Sequence, residues 1–318
     1  MASLKLRAPA PCLTQADLQA KINEIRGLIG PALSKFPTMS SDASILRFLR
    51  ARNFNTKKTA KMLKETLKWR MEYKPEMIRW EHIAREGETG KVYKANYCDK
   101  IGRTIVCADF CFQNSSKTDG QIRYLVYCME NAVLDLKPGQ QQMVWLIDFR
   151  GWNMSSISVK TTQETARVLQ NRYPERLGLA ILYNPPKLFE SFWTMVKPFL
   201  ERKTHKKVRF VYAENPESKK IMDELFEKEK LEMAFGGSCS QGFDYKTHSQ
   251  RMKEDDKKMM EFIKSGAPLP SDQNVQNQAE PVSPESPSGG LYDDDDSSSS
   301  NEEDDDNSPS SIHHIRFN

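Results

Sequence analysis

The sequence predicts an α/β domain, preceded by an all-helical region and followed by an acidic, disordered tail. Three observations carry this. Apolar residues recur at helical spacing through residues 14–85. From Gly90, short apolar or β-branched runs alternate with helical segments through short connections, the pattern of a sheet with crossover helices. From Ala267 the chain turns to Pro, Ser, Asp and Gly and has too little apolar surface to fold. The boundaries drawn are a disordered start over 1–13, a helical region over 14–89, an α/β domain over 90–265 and a disordered acidic tail over 266–318.

In order, Thr14 or Asp17 caps a first helix with Leu18, Ile22, Ile25 and Ile29 on one face, ended by Gly30-Pro31. Ser41 or Asp42 caps a second, Ile45 to Arg52, whose apolar residues alternate with arginines. Asn55 or Thr56 caps a third with Ala60, Leu63, Leu67 and Met71 in register, and Pro75 breaks it. Strands are expected at Thr104–Phe110, Met143–Phe149, Leu179–Tyr183 and Val208–Ala213. Helices are expected at Asp119–Leu136, Val159–Gln170, Glu217–Leu231 and Lys246–Lys264. Phe235-Gly236-Gly237 reads as a flexible break. No internal repeats occur.

One further helix, Leu188 to Val196, is apolar nearly all round. Phe189, Phe192, Trp193 and Val196 share helical spacing, and Leu188 and Met195 add apolar surface on the other side. Such a helix is either buried or covers an apolar ligand that comes and goes.

The net charge of +4 conceals two halves. Residues 271–318 hold twelve acids and one base, Arg316, so they carry −11, and the remainder carries +15. A body that basic suits an anionic partner. The six cysteines form no CxxC pair, which argues against zinc or a secreted disulfide framework and for a reducing compartment. No apolar run is long enough to span a bilayer, so membrane contact is expected to be peripheral. Phosphate loops of the P-loop and dinucleotide types are absent, as are nucleophile elbows and nucleic-acid signatures. The expectation is a protein with no catalytic residues, no metal and no nucleic-acid partner.

Three groups could carry recognition. Tyr173-Pro174-Glu175-Arg176 alone reads as a surface salt bridge, and its setting before the apolar helix is what raises a recognition role. Thr204-x-x-Lys207 can turn a hydroxyl and an ammonium toward one anion, or be a solvated loop. Arg47, Arg50 and Arg52 can grip phosphate or form the polar face of a helix.

Taken together, Leu46-Arg47-Phe48-Leu49-Arg50-Ala51-Arg52-x-Phe54, Trp69-Arg70, Tyr173 to Arg176, Asn184-x-Pro186, Lys197 to Leu200 and Phe235 to Gly237 resemble the Sec14-like, or CRAL-TRIO, lipid-binding proteins from about Asp42 to Tyr245. The resemblance implies one lipid held over a sheet floor beneath a gating helix, here Lys187 to Phe199. Position by position, it places a phosphatidylinositol headgroup at Arg52, Glu175, Thr204 and Lys207. It places acyl-chain contacts at Phe189, Phe192, Trp193, Val196 and Phe199. Pro185, Pro186, Gly236 and Gly237 become hinges. Asn53 departs from the basic residue that often follows the arginine. The hydroxyls that hold phosphatidylcholine in the founding type fall on Met129, Met143 and Trp145, which should line the pocket and disfavour that lipid. A sterol or tocopherol-like ligand, or a scaffold with a degenerate pocket, is the rival expectation.

The resemblance and the charge pattern together predict a monomeric, cytoplasmic phosphatidylinositol-transfer protein. It should touch anionic membranes transiently and need no cofactor beyond its lipid. A phosphoinositide kinase is an expected partner. The acidic tail is expected either to compete for the membrane surface or only to solubilise.

Overall fold

The computed structural model describes residues 13–109, 117–153 and 158–273. The expectations for residues 1–12, for Phe110 and Cys111, and for the tail beyond Gln273 lie outside the described residues.

Eleven α-helices occur among the described residues: α1 (Gln15–Ile29), α2 (Pro37–Ser40), α3 (Asp42–Ala51), α4 (Thr56–Tyr73), α5 (Trp80–Gly87), α6 (Thr118–Leu134), α7 (Val159–Arg172), α8 (Phe189–Val196), α9 (Arg202–His205), α10 (Pro216–Leu225) and α11 (Tyr245–Ser265). The strands are β1 (Val92–Cys98), β2 (Thr104–Asp109), β3 (Met143–Asp148), β4 (Leu177–Tyr183) and β5 (Val208–Val211).

The predicted caps form. Thr14 and Asp17 make a capping box, Ser41 Oγ accepts the Ser44 N–H, and Asn55 Oδ1 accepts the Lys58 N–H. These caps start α1, α3 and α4 so that Ile25, Ile45, Leu49 and Leu63 all point into one fully buried core. Each such side chain contributes about 2 kcal/mol by leaving water. Arg47, on α3, is not on the solvent face: it is buried with Asp272 at 2.8 Å.

The sheet runs in order β1-β2-β3-β4-β5. β1 is antiparallel to β2, and the other pairs are parallel, each reached through a helical crossover. Strand alternation divides the residues between two faces. Ile105, Cys107, Val144, Leu146, Ile181, Tyr183 and Val211 pack with Met222, Phe226 and Phe235 on one face. The other face carries two rows across the strands: Val106, Trp145, Ala180 and Val208, then Ala108, Ile147, Leu182 and Phe210. This second face is left for α6, α7 and α8 to roof.

Some boundaries move. β1 was not expected, and α10 ends at Leu225 rather than Leu231. The supposed break at Gly236-Gly237 is a pinned turn. Gly236 sits at φ 84, and a Cβ on Gly237 would fall 1.9 Å from the Leu231 carbonyl oxygen. The backbone there is tied by Met233 N–H to Cys239 O and Cys239 N–H to Leu231 O. The tail boundary at 266 is also early, because Leu269 and Ser271 are buried and Pro270–Asp272 forms a 3₁₀ turn against the body.

Candidate functional site

Under α6, α7 and α8 lies a cavity of about 460 Å³. Its floor is the second sheet face, with Trp145 and Ala180 in one row and Ile147 and Leu182 in the next. Leu125 and Met129 of α6 form one wall, and Ala166 and Leu169 of α7 another. The third wall is α8, which contributes Phe189, Phe192, Trp193 and Val196.

The α8 wall is fixed by aromatic packing. Phe189 meets Phe149 at 4.4 Å and Trp152 at 5.5 Å, both edge-on, and Trp193 meets Phe210 at 5.7 Å. Leu188 and Met195 stand on the opposite side of the same segment, 56% and 45% exposed. The chain enters α8 through Asn184, at φ 52, followed by Pro185 and Pro186. Asn184 Oδ1 accepts the Ala213 N–H at 2.8 Å, which anchors that entry.

The polar end of the cavity comes from two turns. The first follows α7: Glu175 adopts φ 57, a left-handed conformation unusual for a side chain of its size. The second is α9. Its hydrogen bonds, Thr204 N–H to Glu201 O at 2.8 Å and Lys207 N–H to Thr204 O at 3.0 Å, set Thr204 and Lys207 one turn apart. Glu175, Thr204 and Lys207 all line the cavity, and Lys207 Nζ donates to Glu175 Oε2 at 2.9 Å.

Of the remaining positions read from the sequence, three stand aside. Arg52 does not line the cavity; its Nη1 pairs with Glu201 at 2.9 Å, and Glu201 is the lining residue. Phe199 is 39% exposed and lies off the cavity wall. Met143 is fully buried beside Met129 in the core behind the wall. In each case the lining position is a near neighbour along the chain: Ala51, Leu200 and Trp145.

The sequence reading missed Gln170, which clasps the end of the α8 segment. Its Nε2 donates to Phe199 O at 2.9 Å, and its Oε1 accepts the Glu201 N–H at 2.6 Å. It also missed the hydroxyl-bearing residues Ser158, Thr161, Thr162 and Thr165, which line the cavity at α7. Of these, Thr162 Oγ1 donates to Ser158 O at 3.1 Å, Thr161 Oγ1 meets Thr118 Oγ1 at 3.2 Å, and Ser158 Oγ accepts the Thr161 N–H at 3.4 Å. A polar stretch such as Thr161-Thr162-Gln163-Glu164-Thr165 reads as a solvated helix face, so it carries no local signal of a cavity.

Among the described residues, no three of His, Cys, Asp or Glu converge as a metal site, and no helix is long and apolar enough to cross a membrane. The arrangement offers an apolar chamber closed at one end by an ammonium, a hydroxyl and a carboxylate.

Family models match twice along the chain: a CRAL/TRIO domain over residues 87–237 and a CRAL/TRIO N-terminal domain over residues 32–65. A CRAL-TRIO domain-containing protein of Schizosaccharomyces pombe is 32% identical over 202 residues, covering 63% of this chain and 19% of the relative. A phosphatidylinositol transfer protein of Saccharomyces cerevisiae, PDR17, is 30% identical over 178 residues, covering 52% and 51%. A SEC14 cytosolic factor of Yarrowia lipolytica is 28% identical over 245 residues, covering 71% and 49%. The chain therefore spans about half or less of these relatives' lengths. The crystal structure of Sfh5 shares the fold, with a TM-score of 0.57 at 14% identity over 80% of this chain and 99% of that one.

Proposed function

The chain belongs to the CRAL/TRIO family, and from that premise we propose that it holds one phospholipid, phosphatidylinositol, beneath α8 and exchanges or presents it at membranes. The observation that carries this reading is the ending of an apolar cavity in the Glu175–Lys207 pair beside Thr204. Burying an acyl chain is worth about 0.8 kcal/mol per methylene, whichever lipid it belongs to, so the headgroup must supply the choice. Lys207 and Thr204 would donate to the lipid phosphate, and Glu175 would orient Lys207 and accept from ring hydroxyls. Arg52 would act from behind Glu201 rather than by direct contact.

Release requires α8 to swing away. Pro185 and Pro186 are the proposed hinge on one side, and the pinned Gly236-Gly237 turn is the fixed support rather than a second hinge. Leu188 and Met195 would enter the bilayer surface while Phe189, Phe192 and Trp193 uncover the lipid. The basic body would favour an anionic, cytoplasmic membrane face. No bond is made or broken, so the lipid would leave chemically unchanged. A sterol or tocopherol-like ligand is the alternative, resting on the apolar floor at Trp145.

Native mass spectrometry of the full chain after incubation with mixed vesicles tests the proposal, with Lys207→Ala and Glu175→Ala in parallel. Phosphatidylinositol bound by the wild type and lost from both variants is the expected result. An empty wild type, or an apolar ligand indifferent to both substitutions, would overturn it.

A further inference from the structure

Arg176 completes the turn that carries Glu175 and lines the cavities on both sides of it, and its guanidinium is held by the protein. It is buried, with Nη1 donating to Gln141 O at 3.0 Å and approaching Ser271 Oγ at 3.5 Å. Among the described residues no carboxylate pairs with it directly. Burial first, then the nearby and also buried Arg47, pushes the Arg176 pKa well below its ordinary value. Two cations out of water in one place need an anion.

Asp272 is the carboxylate that favours the Arg176 charge most, with Glu130 next. The Asp272 carboxylate accepts from Arg47 Nη1 at 2.8 Å and from Ser41 Oγ. Burial raises its pKa, but Arg47 and Ser41 more than offset this and hold it below the usual carboxylate range. The segment that bears it is itself seated. Leu269 packs with Leu125, Met129 and Tyr173, residues that wall the cavity. Gln141 joins the parts: its side chain meets Arg47 and the Ser271 carbonyl, while its own carbonyl takes Arg176. A second cavity of about 260 Å³, lined by Arg47, Arg70, Arg172, Tyr173 and Arg176, lies behind the turn. The Tyr173–Arg176 turn is thus a thin wall with space on both sides, and its strained Glu175 conformation must be held from behind.

We infer that Asp272 is a positioning residue for the polar end of the lipid cavity: by compensating Arg47 and Arg176 it fixes the Arg176 side chain, and with it the turn that delivers Glu175 to Lys207. This deepens, and rests on, the phosphatidylinositol reading above. It assigns the Leu269–Asp272 segment a part in lipid selection although that segment touches no headgroup group directly.

Two full-length variants test it: Asp272→Asn, which removes the anion, and Arg176→Gln, which leaves the Asp272–Arg47 pair intact but cuts the link to the turn. Two quantities are read. One is amide hydrogen exchange of the peptide spanning residues 173–177, which needs no ligand. The other is the phosphatidylinositol share of lipid bound from vesicles of phosphatidylcholine and phosphatidylinositol. Both variants should exchange at least tenfold faster in the turn and lose at least fivefold in phosphatidylinositol share, and Asp272→Asn should add nothing in the Arg176→Gln background. Turn exchange in Arg176→Gln equal to wild type overturns the inference, even if Asp272→Asn fails to fold. Loosened turns with an unchanged phosphatidylinositol share also overturn it. If wild type takes up no phosphatidylinositol, the lipid assignment fails separately, and turn exchange alone judges the role of Asp272.

Discussion

Lys207 and Glu175 lie 32 residues apart in sequence and meet at 2.9 Å, each about one-fifth exposed, at the polar end of the cavity. Each is the other's charged partner. Removing either one leaves a half-buried charge alone, and hydrogen bonds to charged groups are worth about 1.5–3 kcal/mol. Lys207→Ala and Glu175→Gln should each slow phosphatidylinositol transfer between vesicles by roughly tenfold or more. The double variant should be little worse than either single one, because residues in one network are not additive. Additive losses would mean that the two act separately.

The outer face of α8 makes a different demand. Leu188 and Met195 are 56% and 45% exposed and support no core. Replacing both with Glu should leave the thermal midpoint within about three degrees, since surface changes usually stay within about ±0.5 kcal/mol each. Sedimentation with vesicles should nonetheless fall severalfold. Unchanged sedimentation would mean that another surface docks.

Gly237 is required by a close approach. Any Cβ would stand 1.9 Å from the Leu231 carbonyl oxygen, and main chain cannot give way as a side-chain tip can. Gly237→Ala should cost about 1–3 kcal/mol, the range for overpacking that forces the backbone to shift, and lower the thermal midpoint by several degrees. Gly242, where an added Cβ meets nothing within 4 Å, is the control.

Acid sensitivity should trace partly to His248. It is buried between Trp80 and Phe243, with Nε2 3.2 Å from Tyr124 Oη and no partner for Nδ1 among the described residues. Burial first, then Arg251 and Lys94, depress its pKa to about 4, against an ordinary value of 6.5. Between those values the unfolded chain binds a proton that the folded one refuses, so stability falls as pH drops from 6.5 toward 4 and levels below. His248→Phe should flatten that interval of a denaturation-against-pH series. A slope identical to wild type would place the sensitivity elsewhere.

The tail can be tested without disturbing Asp272. Stopping the chain after Gln273 removes eleven acids and leaves the buried Asp272 in place. Association with anionic vesicles at low salt should rise if the tail competes for the basic body, and its salt dependence should steepen. Equal association would leave the tail a solubilising role.

Much of this fold was written locally. Caps at Thr14, Ser41 and Asn55 and the spacing of Ile22, Ile25 and Ile29 sufficed for the helical region, because caps and periodicity act within a few residues. β1 was passed over although Tyr93, Ala95 and Tyr97 alternate onto one core. Its Lys94 reads as solvent-facing, and only Asp135 and Asp255, 41 and 161 residues away, let it be buried. Arg47 and Asp272 concealed their pairing in the same way. In the site, Glu175 and Lys207 stood out separately as candidates, but only the resemblance put them together, since nothing near either residue announces the other. The α7 hydroxyls were illegible because a polar stripe facing a cavity looks the same as one facing water.

The two rows of the sheet's second face have a consequence for ligand size. Trp145 and Ala180 are lateral neighbours across two parallel strands, and Ile147 and Leu182 lie one step further along. The depth of the chamber at each step is therefore set by a sum over neighbours and not by one side chain. Volume removed at Trp145 can be restored at Ala180 without changing the space beside Ile147. The floor behaves like a stepped gauge, on which the girth a guest molecule can have is adjustable at one level while its length is read at the next.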